Sequence, residues 1–114
     1  MNGLKKLLIM QLFTKMTDIA VMVSPDPADR LLMFYVYSTQ IQSQGGLRAN
    51  ASSISRVSNM PYETVRRRLK NLEARGIMKS FPDGYEIDPE FDIESVFQSL
   101  ADVIAEYADN IKSA

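Results

Sequence analysis

Between positions 66 and 70 the chain sets four cations in five residues, Arg66, Arg67, Arg68 and Lys70, just after Tyr62, Glu63 and Thr64. On a helix with Val65 taken as zero and about 100° per residue, Leu69 and Leu72 fall within about 40° of it. Arg66, Lys70 and Arg67, with Glu63 among them, then occupy the opposite side between about 100° and 200°, and Arg68 lies on the flank. One side of such a helix packs into a core and the other offers guanidinium and ammonium groups to a partner. Those groups pair with phosphate, and the arginine fork also matches the O6 and N7 acceptors of guanine. The chemistry on offer is therefore recognition. No histidine is present, which removes a His base, a His metal site and a neutral-pH His switch. There is no cysteine, hence no disulfide and no thiolate zinc site. No nucleophile elbow, phosphate loop or paired-carboxylate motif occurs, and the acids from Asp83 to Glu94 match no calcium loop. Neither an enzyme nor a metal or cofactor protein is expected.

A helix that presents these residues needs neighbours. The spacing predicts a short helix over 51–58, capped by Asn50 and facing inward through Ile54 and Val57, and then a helix over 62–75. Gly76 closes the second of these at the C′ position, with Arg75 in its last turn. Ile54, Val57, Met60, Val65, Leu69 and Leu72 are the expected shared core, while Arg68 and Arg75 are assigned to local structure or to distant phosphate contacts. Ile77–Phe81 and Tyr85–Ile87 read as two short strands joined by the turn Pro82-Asp83-Gly84. Upstream, Asp26 as N-cap and Pro27 at the first helical position predict a helix over about 27–43, ended by Gly45-Gly46. Two longer helices, 4–23 and 92–112, flank the whole. Both carry more apolar surface than one small core absorbs, so they are expected to dimerise. The methionines of the first (Met10, Met16, Met22) read as core or interface.

Charge divides along the same lines. Residues 51–80 hold seven basic and two acidic side chains, residues 81–114 hold nine acidic and one basic, and the whole chain has a net charge of −1. One positive and one negative face are expected. Lys5-Lys6 followed by Leu7–Phe13 imitates a secretory signal, but Lys15 and Asp18 interrupt the apolar run and no cleavage site follows. That run is also well below the roughly 18 residues of a membrane span. A cytoplasmic protein without membrane contact is expected.

The string Met60-Pro61-Tyr62-Glu63-Thr64-Val65-Arg66-Arg67-Arg68-Leu69-Lys70-Asn71-Leu72-Glu73-Ala74-Arg75-Gly76-Ile77, preceded by Ser55-Arg56 and followed by a hairpin, resembles bacterial winged helix-turn-helix transcriptional regulators. The order of elements is MarR-like in outline. The resemblance implies a mainly α fold: a three-helix core with a short β-hairpin wing (residues 25–91), between N- and C-terminal dimerisation helices (1–24 and 92–114). It implies that helix 51–58 braces helix 62–75, which enters the major groove of double-stranded DNA. By position, Tyr62, Arg66, Arg67 and Lys70 become base-edge or phosphate contacts, Thr64 and Arg56 phosphate contacts, and Lys79 the wing contact. The wing departs from the pattern, because Asp83 and Glu86 stand where long wings carry Arg or Lys. A homodimer would set two recognition helices about 34 Å apart on a near-palindromic site. The alternative is a winged-helix protein–protein interaction module that does not touch DNA. No polar anchor marks a pocket for a small-molecule effector.

Overall fold

The computed structural model describes all 114 residues, in the order α1 (Gly3–Val23), α2 (Pro27–Gln42), α3 (Ala51–Ser58), α4 (Tyr62–Ala74), β1 (Met78–Phe81), β2 (Gly84–Ile87) and α5 (Ile93–Ser113). The chain is mainly helical with a single two-stranded antiparallel sheet. It divides into two units, Asp26–Phe91 and the pair of terminal segments Met1–Pro25 with Asp92–Ala114.

In the central unit, each helix begins at a residue chemically suited to start it. The Asp26 carboxylate accepts from the Ala28 amide at 2.8 Å, and Pro27 supplies a fixed φ without a wasted N–H. Asn50 and Ser53 form a reciprocal capping box at the start of α3. α3 stops at Asn59, which takes the left-handed conformation (φ 62°) and leaves Met60-Pro61 to lead into α4. α4 ends in a Schellman motif: Gly76 (φ 76°) donates to Glu73 O, and Ile77 N–H donates to Leu72 O at 3.0 Å. That bond holds Ile77 to the helix end, so β1 starts one residue later than the apolar pattern implies.

α2 ends at Gln42, and the closure at Gly45 (φ 81°) is shared with a second left-handed residue, Gln44 (φ 52°); Gly45 N–H reaches back to Gln40 O at 2.9 Å. A side chain in this conformation is strained, so Gln44→Gly is expected to stabilise the unit by about 0.5–1 kcal/mol, read as a raised urea midpoint with unchanged slope.

Leu32 and Val36 of α2, Ile54 of α3, and Val65, Leu69 and Leu72 of α4 are all at most 1% exposed, with Met33, Ile77, Met78 and Ile87 completing the core. Val57 departs from its predicted inward position and is 62% exposed. Ile54 already fills the place that α3 has over the core, and Val57 instead lines an open groove with Phe34 and Tyr35.

β1 and β2 pair Met78 with Ile87, Lys79 with Glu86, Ser80 with Tyr85 and Phe81 with Gly84, around Pro82-Asp83. Gly84 thus belongs to the strand and not to the turn. A third segment joins this hairpin, because Tyr85 N–H donates to Ala49 O at 2.9 Å. The approach is close enough that a Cβ at Gly84 would lie 2.7 Å from Ala49 O and 2.9 Å from Arg48 Cβ, so only glycine fits. Two further bonds fasten the hairpin to the helices: Ile87 N–H to Gln40 Oε1 at 2.7 Å and Ser80 N–H to Glu73 Oε2 at 3.2 Å.

The terminal unit pairs α1 with α5. Asn2 caps α1, and Asp92, predicted inside the last helix, instead caps α5. Lys15 joins the helices, 3.2 Å from Glu106 and 5.3 Å from the centre of the Tyr107 ring. Tyr107 is the only buried residue of α5, and α1 has none. Leu4, Met10, Phe13 and Met22 of α1 are 59–87% exposed, and Phe97 and Ile104 of α5 are also open. Two helices alone do not cover this much apolar surface. No single helix of the chain is long and apolar enough to cross a membrane.

Candidate nucleic-acid interface

α4 organises the site. Its inner side is dry: Val65, Leu69 and Leu72 are 0% exposed. The burial of each is worth about 1.5–3 kcal/mol, enough to fix the helix's rotation. With that rotation fixed, Glu63, Arg67 and Lys70 are exposed and Arg66 is half-buried on the outer side, while Tyr62 is 48% exposed at the helix start. Thr64 is half-buried. No side chain caps the first turn of α4, since Pro61 occupies the cap position.

The cations of this region differ in how they are engaged. Arg68 is drawn away to α2, 2.7 Å from Asp26 and 3.1 Å from Asp29, and Arg75 is 3.4 Å from Asp29. Asp29, 7% exposed, sits between the two arginines, and its burial is tolerated because both its oxygens are matched by cations. The Arg68 hydrogen bond holds the Asp26 carboxyl below the ordinary carboxylate value, and the same bond raises Arg68 further. Arg66 is held by Glu63, its Nε and Nη2 lying 3.1 and 3.0 Å from Glu63 Oε2. That bond also pushes the Arg66 pKa upward. Arg67, Lys70 and Arg56 form no ion pair within the chain. Arg56 is exposed in the last turn of α3, at that helix's negative end.

On the hairpin, Lys79 is exposed and its ammonium lies 5.6 Å from the centre of the Phe81 ring. The Arg48 guanidinium lies 3.8 Å from the centre of the same ring and pairs with both acids of the hairpin, Asp83 at 3.0 Å and Glu86 at 3.4 Å. Those two acids, which would otherwise oppose an anionic partner, are therefore partly neutralised. Nothing in the spacing of the chain points to Arg48. It lies 35 residues from Asp83, just ahead of α3, and no local pattern signals the contact.

The arrangement places exposed cations on a helix whose opposite side is buried in the core. No group of three potential metal-ligating side chains comes together. Comparison with family models, curated proteins and solved structures yields no match.

Proposed function

We propose that the chain is a winged helix-turn-helix protein of the bacterial regulator type, which binds double-stranded DNA in a sequence-dependent way as a homodimer. In this reading α3 and α4 are the helix-turn-helix, α4 is the recognition helix, and the β1–β2 hairpin is the wing. The observation that carries it is the contrast within α4. Val65, Leu69 and Leu72 lock the helix in place, while Arg67 and Lys70 stand exposed on the opposite side without an intramolecular carboxylate. A helix of this kind fits the major groove, which is about 12 Å wide. Arg56 and Thr64 flank the face as phosphate contacts, and Tyr62 at its start reaches a base edge or phosphate. Lys79 is the wing contact, helped by the capture of Asp83 and Glu86 by Arg48. One basic helix supplies little affinity, so a second copy is needed. The exposed apolar residues of α1 and α5 supply the surface for it.

Selection of bound duplexes from a random DNA pool at stated, low salt tests the reading. Arg67→Ala is expected to weaken binding to the selected site by about 1–3 kcal/mol and to lower the salt slope by about one unit if its contact is a phosphate. Retention equal to wild type by both Arg67→Ala and the triple Arg66/Arg67/Arg68→Ala variant would refute it.

One observation favours the second reading, a protein–protein interaction module. α2 and α3 border an open groove of about 310 Å³ in which Phe34 and Val57 are 64% and 62% exposed. If that groove is the working surface, Phe34→Ser abolishes partner binding and the arginine variants leave it intact.

A further inference from the structure

The Glu63–Arg66 pair lies on the outer side of α4, in the turn that a recognition helix presents to base edges. Surface pairs three residues apart add little to stability, and here the Glu63 side chain is 72% exposed and that of Arg66 42%. What the pair does is geometric. Glu63 Oε2 accepts from both Nε and Nη2 of Arg66, at 3.1 and 3.0 Å, which fixes the plane of the guanidinium. The side edge of the fork is thereby used. Of the five N–H donors of arginine, those on the Nη1/Nη2 end remain. This end edge presents two parallel N–H groups, the arrangement that meets O6 and N7 of a guanine.

Arg67 and Lys70, on the same side, have no such partner and keep their rotational freedom. They serve a phosphate equally well from many positions. Glu63 also works against any loose electrostatic role for Arg66, because its charge repels the DNA backbone and cancels most of the guanidinium's attraction at a distance. A pair of this composition loses sequence-independent affinity and gains orientation.

Resting on the DNA-binding reading above, we propose that Arg66 reads a guanine in each half-site and that Glu63 is the positioning residue that aims it. Arg67 and Lys70 supply the sequence-independent attraction. Arg66 is thus the specificity determinant and Arg67 the affinity determinant, although the two are neighbours in an unbroken run of three arginines.

The test uses the full chain with random-pool selection, followed by titration of the selected duplex, of the same duplex with the guanine replaced, and of an unrelated duplex. Wild type is expected to select one invariant guanine per half-site and to prefer it by about tenfold or more over adenine. Arg66→Lys, which keeps the charge and loses the fork, is expected to lose that preference, binding the selected duplex and the guanine-replaced duplex within about twofold of each other. Glu63→Gln is expected to bind the unrelated duplex as tightly as wild type or tighter, yet to discriminate at the guanine about tenfold less. A structural defect would weaken binding to all three duplexes together. A selected site without an invariant guanine overturns the proposal, as does a Glu63→Gln protein with undiminished preference. Wild type that binds no duplex at low salt overturns the DNA-binding reading itself, and this proposal with it.

Discussion

Leu69→Ala is expected to remove about 2–5 kcal/mol from the stability of the central unit and, in the proposed function, to weaken DNA binding in the same step. Leu69 is 0% exposed and lies between Val65 and Leu72, which are equally dry. Truncating it loses the transfer free energy of the side chain and leaves a cavity. Small domains are held by about 5–15 kcal/mol in all, so this is a large share of the total. The cavity would also open directly beneath the helix that carries Arg66, Arg67 and Lys70. Urea unfolding followed by far-ultraviolet dichroism reads the loss as a lower midpoint. Ala74→Gly, at an exposed position in the last turn of the same helix, is the control: it costs only about 1 kcal/mol and leaves the core filled. If Leu69→Ala unfolds within error of wild type, the burial that orients the cationic side is not what holds α4.

Most of α4 is legible in the amino-acid sequence. The Val65-Leu69-Leu72 phasing, the glycine at position 76 and the separation of cations from apolar residues are all local features, set by the helical period of about 3.6 residues. The caps at Asp26 and Asn50 are legible for the same reason, since a cap acts on the first turn that follows it. What stays hidden is made by contacts far apart in sequence. Ala49 meets Tyr85 across the whole of α3, α4 and β1, and the bond uses backbone groups that every residue carries. Arg48 finds Asp83 and Glu86, and Asp29 finds Arg68 and Arg75, with nothing nearby to mark them. Val57 shows the converse failure. Its spacing from Ile54 suits an inward position, but so short a helix has room over the core for only one large side chain, and Ile54 takes it. Residue types and spacing thus show which side chains could bind. The distribution of carboxylates decides which of them are free to, and it leaves Arg67 and Lys70 unpaired while engaging Arg66, Arg68 and Arg75.

Asp29→Ala is the second large expected effect, about 1–3 kcal/mol, and it acts on the orientation of α4 as well as on stability. Removing one partner of a fully buried ion pair costs about 3–5 kcal/mol, because the other charge is left stranded. Here Arg68 and Arg75 keep 28% and 38% of their side chains in contact with water, which lowers the penalty. Asp26 shares Arg68 and adds a pH dependence whose sign is set by its depressed pKa. An acid held below its ordinary 3.8 in the folded state stabilises the fold above that value. The contribution is then lost as the pH falls from 3.8 through the lower, folded-state value. Asp26→Asn separates this from the cap, since asparagine caps a helix as well as aspartate. The variant is expected to be less stable than wild type at neutral pH, and the two unfolding curves are expected to converge as the solution is acidified below 3.8. Coincident unfolding curves at every pH would mean that Asp26 acts only as a cap, and that Arg68 is positioned by Asp29 alone.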